Sequence, residues 1–194
     1  LSAEEIKAHA WGLVGEWHFE GNALDSSGFG NDGTVVGATS VTERFGQALS
    51  FDGNDYVVAP DSASLEPTSI TVEAWVKKSG SPGTYRYIVS KYLPDRPGSY
   101  SSYGLYTGSG GGLYFYIGYS SWVVFSPYVT PSVIWDGQWH HVAGTFDTAS
   151  NSLRLYLDGA QVDGTVTTSN EIYYSGTGNL FIGAYTSTSL FFTG

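Results

Sequence analysis

The sequence contains neither cysteine nor methionine. Disulfide bonds therefore do not hold the fold together, and cysteine usage gives no information about the redox compartment. The lack of an initiator methionine predicts a processed product or a segment of a longer protein. No apolar run has the length of a membrane-spanning helix, so membrane insertion is not expected.

Basic residues are also scarce. The chain has 8 Lys and Arg against 18 Asp and Glu, which gives a formal net charge of −10 at pH 7. Nucleic acids and anionic membrane surfaces both require a positively charged footprint, so neither is predicted as a partner. The charge is compatible with divalent cations and with neutral ligands such as sugars, although an acidic surface also serves solubility alone.

Glycine and aromatic residues are abundant: the 194 residues include 26 Gly, 15 Tyr, 10 Phe and 6 Trp. This composition, with few strong helix formers, favours an all-β protein. Short apolar runs recur at intervals of about 8–12 residues between turn-forming residues, which is the pattern of a β-sandwich. The length suits a single domain with a sizeable core.

The stretch DGQWHHVAGTFDTASNSLRLYLDGAQV, residues 136–162, has the clearest periodicity. Val142 and Phe146 fall on one face of a strand, with Gly144 between them. A second strand follows, in which leucine occupies every other position: Leu153, Leu155 and Leu157. The pattern predicts an antiparallel meander with one buried face, which a second sheet must cover.

Asp-Gly pairs predict two hairpin turns. The first is Asp158-Gly159, at the end of the leucine-rich strand. The second is the run DGND at residues 52–55, between predicted strands at residues 45–51 and 56–59. Further strands are predicted at residues 15–20, 70–77, 103–106, 113–118, 171–174 and 189–192.

A short helix is predicted at residues 1–10, LSAEEIKAHA. Ser2 can cap the amide of Glu5, and the Glu5 side chain can reach back to Ser2, which together form a capping box. A helix of this length requires docking to persist.

Five segments, in this order along the chain, resemble the concanavalin A-like, laminin G-like family, in particular its LamG-type modules related to pentraxins. They are WHFEGNALDSSGFGNDG, FGQALSFDGNDYVVAP, SITVEAWVK, the WHHVA to LRLYLDG core, and NLFIGA. The resemblance covers residues 15–194. It implies an all-β, two-sheet antiparallel jelly roll in a secreted, extracellular or cell-surface protein, and it implies no particular ligand.

The same resemblance makes the two ends of the chain look offset. In this family a run such as LSAEEI normally closes a module, after a final strand similar to Ile-Asp-Glu-Val-x-Ile-Tyr. Residues 1–10 are therefore expected to be the closing helix of a preceding or neighbouring module, and residues 11–194 a sandwich without its closing strand. Excision from a tandem array, completion of the open sheet edge by a neighbouring chain, or an arbitrary chain boundary would each explain the offset.

A structural calcium ion is the first candidate ligand, because related modules often bind calcium near the rim of the sandwich. The polar loop at residues 22–33 and the strand before it supply oxygen ligands of the kind that calcium prefers. The predicted ligands are Glu20, Asp25, Asn31 and Asp32. The alternative is that Asp, Asn and Gly only form turns here.

Sugar is the second candidate ligand, because aromatic faces stack on the apolar faces of pyranose rings. The candidate rings lie in or beside predicted loops. They are Tyr92, Tyr100, Tyr103, Tyr119, Trp122, Tyr173, Tyr174 and Tyr185. The alternative is that these rings fill the core of the sandwich.

An enzyme is not predicted. Glucanases that share the expected fold carry a Glu-x-Asp-x-x-Glu strand motif with paired carboxylates, which this sequence lacks. His140 and His141 are adjacent, so on a strand they point to opposite faces and cannot bind one metal together.

The leading hypothesis is a non-catalytic extracellular binding or adhesion module that recognises a carbohydrate or a cell-surface protein. The alternative is a structural subunit of a surface layer, filament or tandem-repeat stalk. In that case strand exchange with neighbouring copies of the chain would complete the sheet.

Overall fold

The computed structural model describes residues 12–43, 46–95, 100–120 and 122–194. The helix predicted at residues 1–10 lies outside these ranges. The strands are β1 Thr34–Val36, β2 Thr39–Glu43, β3 Gly46–Ser50, β4 Tyr56–Ala59, β5 Ile70–Ser79, β6 Tyr87–Lys91, β7 Tyr103–Thr107, β8 Leu113–Gly118, β9 Val123–Phe125, β10 Asp136–Asp147, β11 Ser152–Leu157, β12 Ala160–Gln161, β13 Val166–Thr167 and β14 Leu180–Ile182. A four-residue helix, α1 Pro131–Ile134, precedes β10, and a 3-10 turn spans Ala63–Leu65.

The strands form two large antiparallel sheets and one small one. The first large sheet has the order β1-β4-β14-β6-β7-β8-β9, and the second has the order β12-β11-β10-β5, with β13 also paired to β11. β2 and β3 form a separate hairpin. This arrangement confirms the predicted all-β, two-sheet antiparallel sandwich. No helix in the described part of the chain is long and apolar enough to cross a membrane.

The two large sheets pack together where Phe115 of β8 lies on Gly144 of β10. A Cβ atom built on Gly144 would lie 2.1 Å from Cγ of Phe115, so only glycine leaves room for the ring. Val142 and Phe146 flank Gly144 on the same face, and both are buried with Phe115 in one core. The predicted buried face of this strand is confirmed.

The predicted leucine-rich strand and its turn are also confirmed. Leu153 and Leu155 are fully buried, and Leu157 is half-buried. Asp158 and Gly159 have φ values of 49° and 80°, and they connect β11 to β12 as a tight hairpin.

Lys91 of β6 ties a connecting loop to the first sheet. The Lys91 side chain is 1% exposed, and its Nζ pairs with Asp61 and lies 3.5 Å from Glu66 Oε1. Nζ also donates to the carbonyl of Gly178. A buried ammonium group needs such partners because it has lost its hydration. The segment before β5 is therefore held against the sheet.

The strand predicted at residues 15–20 is wrong. Within the described ranges, the strand pairing of Trp17 is limited to an isolated bridge with Asp25, and Phe19 has a φ of 59°. The chain turns at this point, where the amide of Gly21 donates to the carbonyl of Phe19. Trp17 still packs against the core, which explains its apolar signal without a strand.

The hairpin predicted at residues 52–55 is also wrong. The segment does turn, because the Asp52 amide donates to the Asp55 carboxylate over 2.8 Å. β3 and β4, however, belong to different sheets: β3 pairs with β2, and β4 lies between β1 and β14. The Asp-Gly signature predicts a turn, but the choice of strand partner depends on the rest of the core.

The strands predicted at residues 171–174 and 189–192 are absent from the described structure, which has extended or irregular backbone there. Leu190 has a φ of 57°, which a strand does not tolerate. Individual backbone contacts remain, such as the Tyr173 amide donating to the Gly118 carbonyl.

We expect Gly144→Ala to destabilise the protein by about 1–3 kcal/mol, because the added methyl group forces Phe115 out of the space between the sheets. Gly110→Ala is the matched control. No described residue has an atom within 4 Å of a Cβ built there, and the Gly110 backbone is outside the left-handed region. Denaturant unfolding of both variants measures the difference, and equal stabilities would contradict this account of the core.

Candidate functional site

The first sheet carries aromatic side chains on the face that points away from the second sheet. In β8, Phe115 and Ile117 point into the core between the sheets. Tyr114 and Tyr116 alternate with them and point to the opposite face. Because successive side chains of a strand point to opposite faces, the outer face of β8 carries these tyrosine rings.

The middle of this outer face is a second, smaller core. Its buried rings are Tyr87, Tyr106, Tyr116 and Tyr185. The Tyr116 hydroxyl donates to the Tyr87 hydroxyl over 3.2 Å, and the Ser101 amide donates to the Tyr116 hydroxyl over 2.9 Å. Burial raises the pKa of Tyr116 to about 12 and also raises the pKa of Tyr87, so both rings stay neutral.

A line of touching rings crosses this face and reaches solvent at both ends. We call it the aromatic ridge, and it comprises Trp122, Tyr100, Tyr116, Phe125, Tyr114 and Tyr128. Successive ring centroids are 5.1 to 6.4 Å apart. Trp122 is 60% exposed and Tyr128 is 50% exposed. The ridge therefore offers ligand-accessible rings that stand on a buried aromatic base.

A groove of about 360 Å³ opens beside the Tyr128 end of the ridge. Residues 128–130, just before α1, form one side, and Leu157 with residues 160–163 of the β11–β12 hairpin forms the other. Tyr128 stacks on Tyr114 at an interplanar angle of 16°. The orientation of Tyr128 is thus held by its neighbour.

Two of the rings predicted to bind sugar, Trp122 and Tyr100, lie on the aromatic ridge. Tyr103 and Tyr185 are only 3% and 6% exposed, so in this structure neither ring has an open face on which a sugar could stack. The Tyr103 hydroxyl donates to the carbonyl of Leu65 inside the core.

The other four predicted rings are half-buried and have different contacts. Tyr92 packs edge-on against Tyr185, with centroids 5.4 Å apart. Tyr173 donates to the Asp95 carboxylate, and Tyr174 donates to the carbonyl of Pro67. The amide of Tyr119 donates to the Trp122 carbonyl and so holds the turn before β9.

Sequence reasoning missed four members of the ridge: Tyr114, Tyr116, Phe125 and Tyr128. The signal was present in LYFYIG, where the tyrosines take the positions opposite Phe115. The pattern alone does not say whether the second face of a strand is covered.

The predicted calcium ligands organise their loop through hydrogen bonds. The Asp25 carboxylate accepts bonds from the Glu16 and Ser27 amides, the Ser27 hydroxyl and the Asn31 amide, over 2.8 to 2.9 Å. Burial raises the pKa of Asp25, but these hydrogen bonds outweigh that effect and the net pKa is lowered. Asp32 Oδ1 accepts the amide of Asp25.

These contacts do not fit a calcium site centred on Asp25. A carboxylate offers about four lone-pair positions, and four protein donors already occupy those of Asp25. Glu20 instead accepts the amide of Gln47 over 3.0 Å, and Asn31 donates to the Val14 carbonyl over 2.6 Å. The described residues contain no group of three or more His, Cys, Asp or Glu arranged to hold a metal ion. Calcium at this loop stays a prediction, and binding would require these bonds to open.

His140 joins the start of β10 to the β11–β12 turn. Nδ1 lies 2.8 Å from Asp158 Oδ2, and Nε2 lies 3.1 Å from Asp136 Oδ1. Burial lowers the pKa of His140, but the bonds to the two carboxylates outweigh it and the net pKa is raised. Both ring nitrogens face acceptors, so the imidazolium form fits the site. This contact fixes one wall of the groove.

Comparison with known proteins identifies the fold. The sequence pattern of the Laminin_G_3 family, described as the concanavalin A-like lectin/glucanases superfamily, matches residues 51–194. No curated protein sequence matches the chain.

Two solved structures illustrate the likeness. Domain 4 of AbnA, a GH43 extracellular arabinanase from Geobacillus stearothermophilus, in complex with arabinotriose, has a TM-score of 0.70 and 18% identity, and the match covers 94% of this chain and 87% of that one. The CBM40 of the Ruminococcus gnavus IT-sialidase, bound to α2,3-sialyllactose, has a TM-score of 0.53 and 12% identity, covering 83% and 86%. At these identities the likeness shows the shared fold.

We expect Asp25→Ala to destabilise the protein by about 1–3 kcal/mol, because several donors lose their acceptor. Asp52→Ala is the matched control, because Asp52 is exposed and no described residue donates to its carboxylate. Unfolding is measured once with calcium and once with a chelator. The loss should be the same in both, and a loss confined to the calcium sample would show that Asp25 binds the ion.

The contribution of His140 to stability should depend on pH. Its folded pKa is raised above 6.5, so the contribution is present below that pH and is lost as the pH rises through the folded value. His140→Gln should therefore cost about 1–2 kcal/mol at roughly pH 6 and less in alkaline buffer. His18→Gln, at an exposed histidine, is the control. A His140→Gln deficit that does not change with pH would contradict the charged contact.

Proposed function

Because the chain belongs to the Laminin_G_3 family of the concanavalin A-like lectin/glucanases superfamily, we propose that it is a non-catalytic carbohydrate-binding module of an extracellular or cell-surface protein. Its ligand-binding surface is the aromatic ridge. Stacking of sugar rings on Trp122 and Tyr128 supplies the binding energy, and the buried rings below keep these two in place.

The observation that carries this proposal is the exposure of rings at both ends of the ridge. A Trp that is 60% exposed and a Tyr that is 50% exposed stand on one continuous aromatic layer. Large exposed rings with a rigid base are costly for solubility and are typical of binding surfaces. Sugars suit them because one face of a pyranose ring is apolar while its edge is polar.

The net charge of −10 favours neutral glycans over acidic ones. The structure of AbnA domain 4 contains arabinotriose, a neutral oligosaccharide, on a similar fold. This supports neutral oligosaccharides as the first ligands to test. Sialyllactose, present in the CBM40 structure, provides the acidic comparison.

A binding role without turnover is favoured by the distribution of carboxylates. Glycosidases need two carboxyl groups on either side of the scissile bond. Among the residues that the structure describes, Asp163 is the single acidic one that lines the groove next to the ridge. Adhesion to a cell-surface protein and assembly with neighbouring copies stay predictions.

We expect Trp122→Ala and Tyr128→Ala each to weaken glycan binding by about 1–2 kcal/mol, or roughly five- to thirtyfold in Kd. Trp75→Ala is the matched control, because Trp75 is also 60% exposed but lies on β5 of the other sheet. Titration calorimetry with ligands selected on a glycan array measures all three. If Trp75→Ala lost affinity while the ridge variants did not, the binding surface would lie on the second sheet, and the proposed role of the ridge would be overturned.

A further inference from the structure

The groove beside the aromatic ridge combines an aromatic wall with an apolar floor. Tyr128 stacks with one face on Tyr114, and it also lines the groove. Leu157 and Val162 are half-buried and pack against the main core beneath it. This surface matches the apolar face of one sugar ring.

The polar groups at the edge of the groove are hydrogen-bond acceptors. The Gln161 amide nitrogen donates to the Gly164 carbonyl over 2.7 Å and to the Thr165 hydroxyl over 3.1 Å, so both of its hydrogens are used. No group in the described ranges donates to the Gln161 side-chain carbonyl or to the Asp163 carboxylate. Acceptors of this kind bind hydroxyl donors and repel anions.

The hairpin that carries these acceptors is held in place before any ligand arrives. His140 bonds to Asp158 in the turn, and the Val162 amide donates to the Leu155 carbonyl over 2.8 Å. A preorganised wall reduces the entropy lost on binding. The groove is open to solvent, and its volume of about 360 Å³ is at the lower end of the range for small-molecule sites.

We propose that this groove is a subsite for one neutral sugar unit of the bound glycan. The sugar ring stacks on Tyr128, and its hydroxyl groups donate hydrogen bonds to the Asp163 carboxylate and to the Gln161 side-chain carbonyl. The inference rests on the proposed function and adds selectivity to it. The ridge supplies stacking that any glycan can use, whereas the groove admits neutral units and rejects uronic or sialic acids.

The test compares neutral oligosaccharides, arabinotriose among them, with acidic ones such as sialyllactose, on an array and then by calorimetry. Asp163→Ala and Gln161→Ala should each weaken neutral binding by about tenfold. Asp163→Lys should weaken neutral binding and strengthen acidic binding. Glu171→Gln is the control, because it removes one exposed negative charge away from the groove.

The outcomes separate the two proposals. If the unmodified protein binds no glycan, both the function and the subsite are overturned. If it binds neutral glycans and Trp122→Ala weakens them while the groove variants do not, the subsite is overturned and the function stands. Equal losses in Asp163→Ala and Glu171→Gln would also overturn the subsite, because the effect would then be one of net charge alone.

Discussion

The packing of Phe115 on Gly144 is the contact on which the rest of the structure depends. It sets the separation of the two large sheets, because a side chain at Gly144 would occupy the space of the ring. It also determines what lies on the outside. Tyr114 and Tyr116 flank Phe115 in β8, so the alternation that buries Phe115 places both tyrosines on the outer face. The core and the candidate binding surface are two faces of one strand.

The outer face differs from an ordinary solvent-exposed sheet because the rings at its centre are buried. Tyr87 and Tyr116 are almost fully buried there, and their hydroxyl groups bond to each other. The exposed rings at its margin consequently rest on packed neighbours and lose little freedom when a ligand binds. A rigid aromatic surface of this kind suits recognition of sugar rings, whose apolar faces require flat partners and whose hydroxyls require a few acceptors.

Polar side chains shape the loops of the fold through hydrogen bonds. The Asp25 carboxylate accepts four hydrogen bonds from residues in and next to its loop. His140 bonds to the carboxylates of Asp136 and Asp158. In both places a charged side chain takes the place of water as the hydrogen-bond partner of backbone or side-chain groups. These groups lie in turns whose backbone is not paired as in a regular strand. The loops and the hairpin are thereby shaped without a disulfide bond, in a chain that has no cysteine.

The sequence alone was sufficient for the all-β class, the buried faces of β10 and β11, and the turn at Asp158-Gly159, because side-chain alternation and positive φ are local properties. It could not supply the partner of β3 or the break at Phe19, since these depend on contacts between residues far apart in the chain. For the same reason Tyr103 and Tyr114 look alike in the sequence, yet one is in the core and the other on the ridge. Only the stacking of two sheets decides which face of a strand is covered.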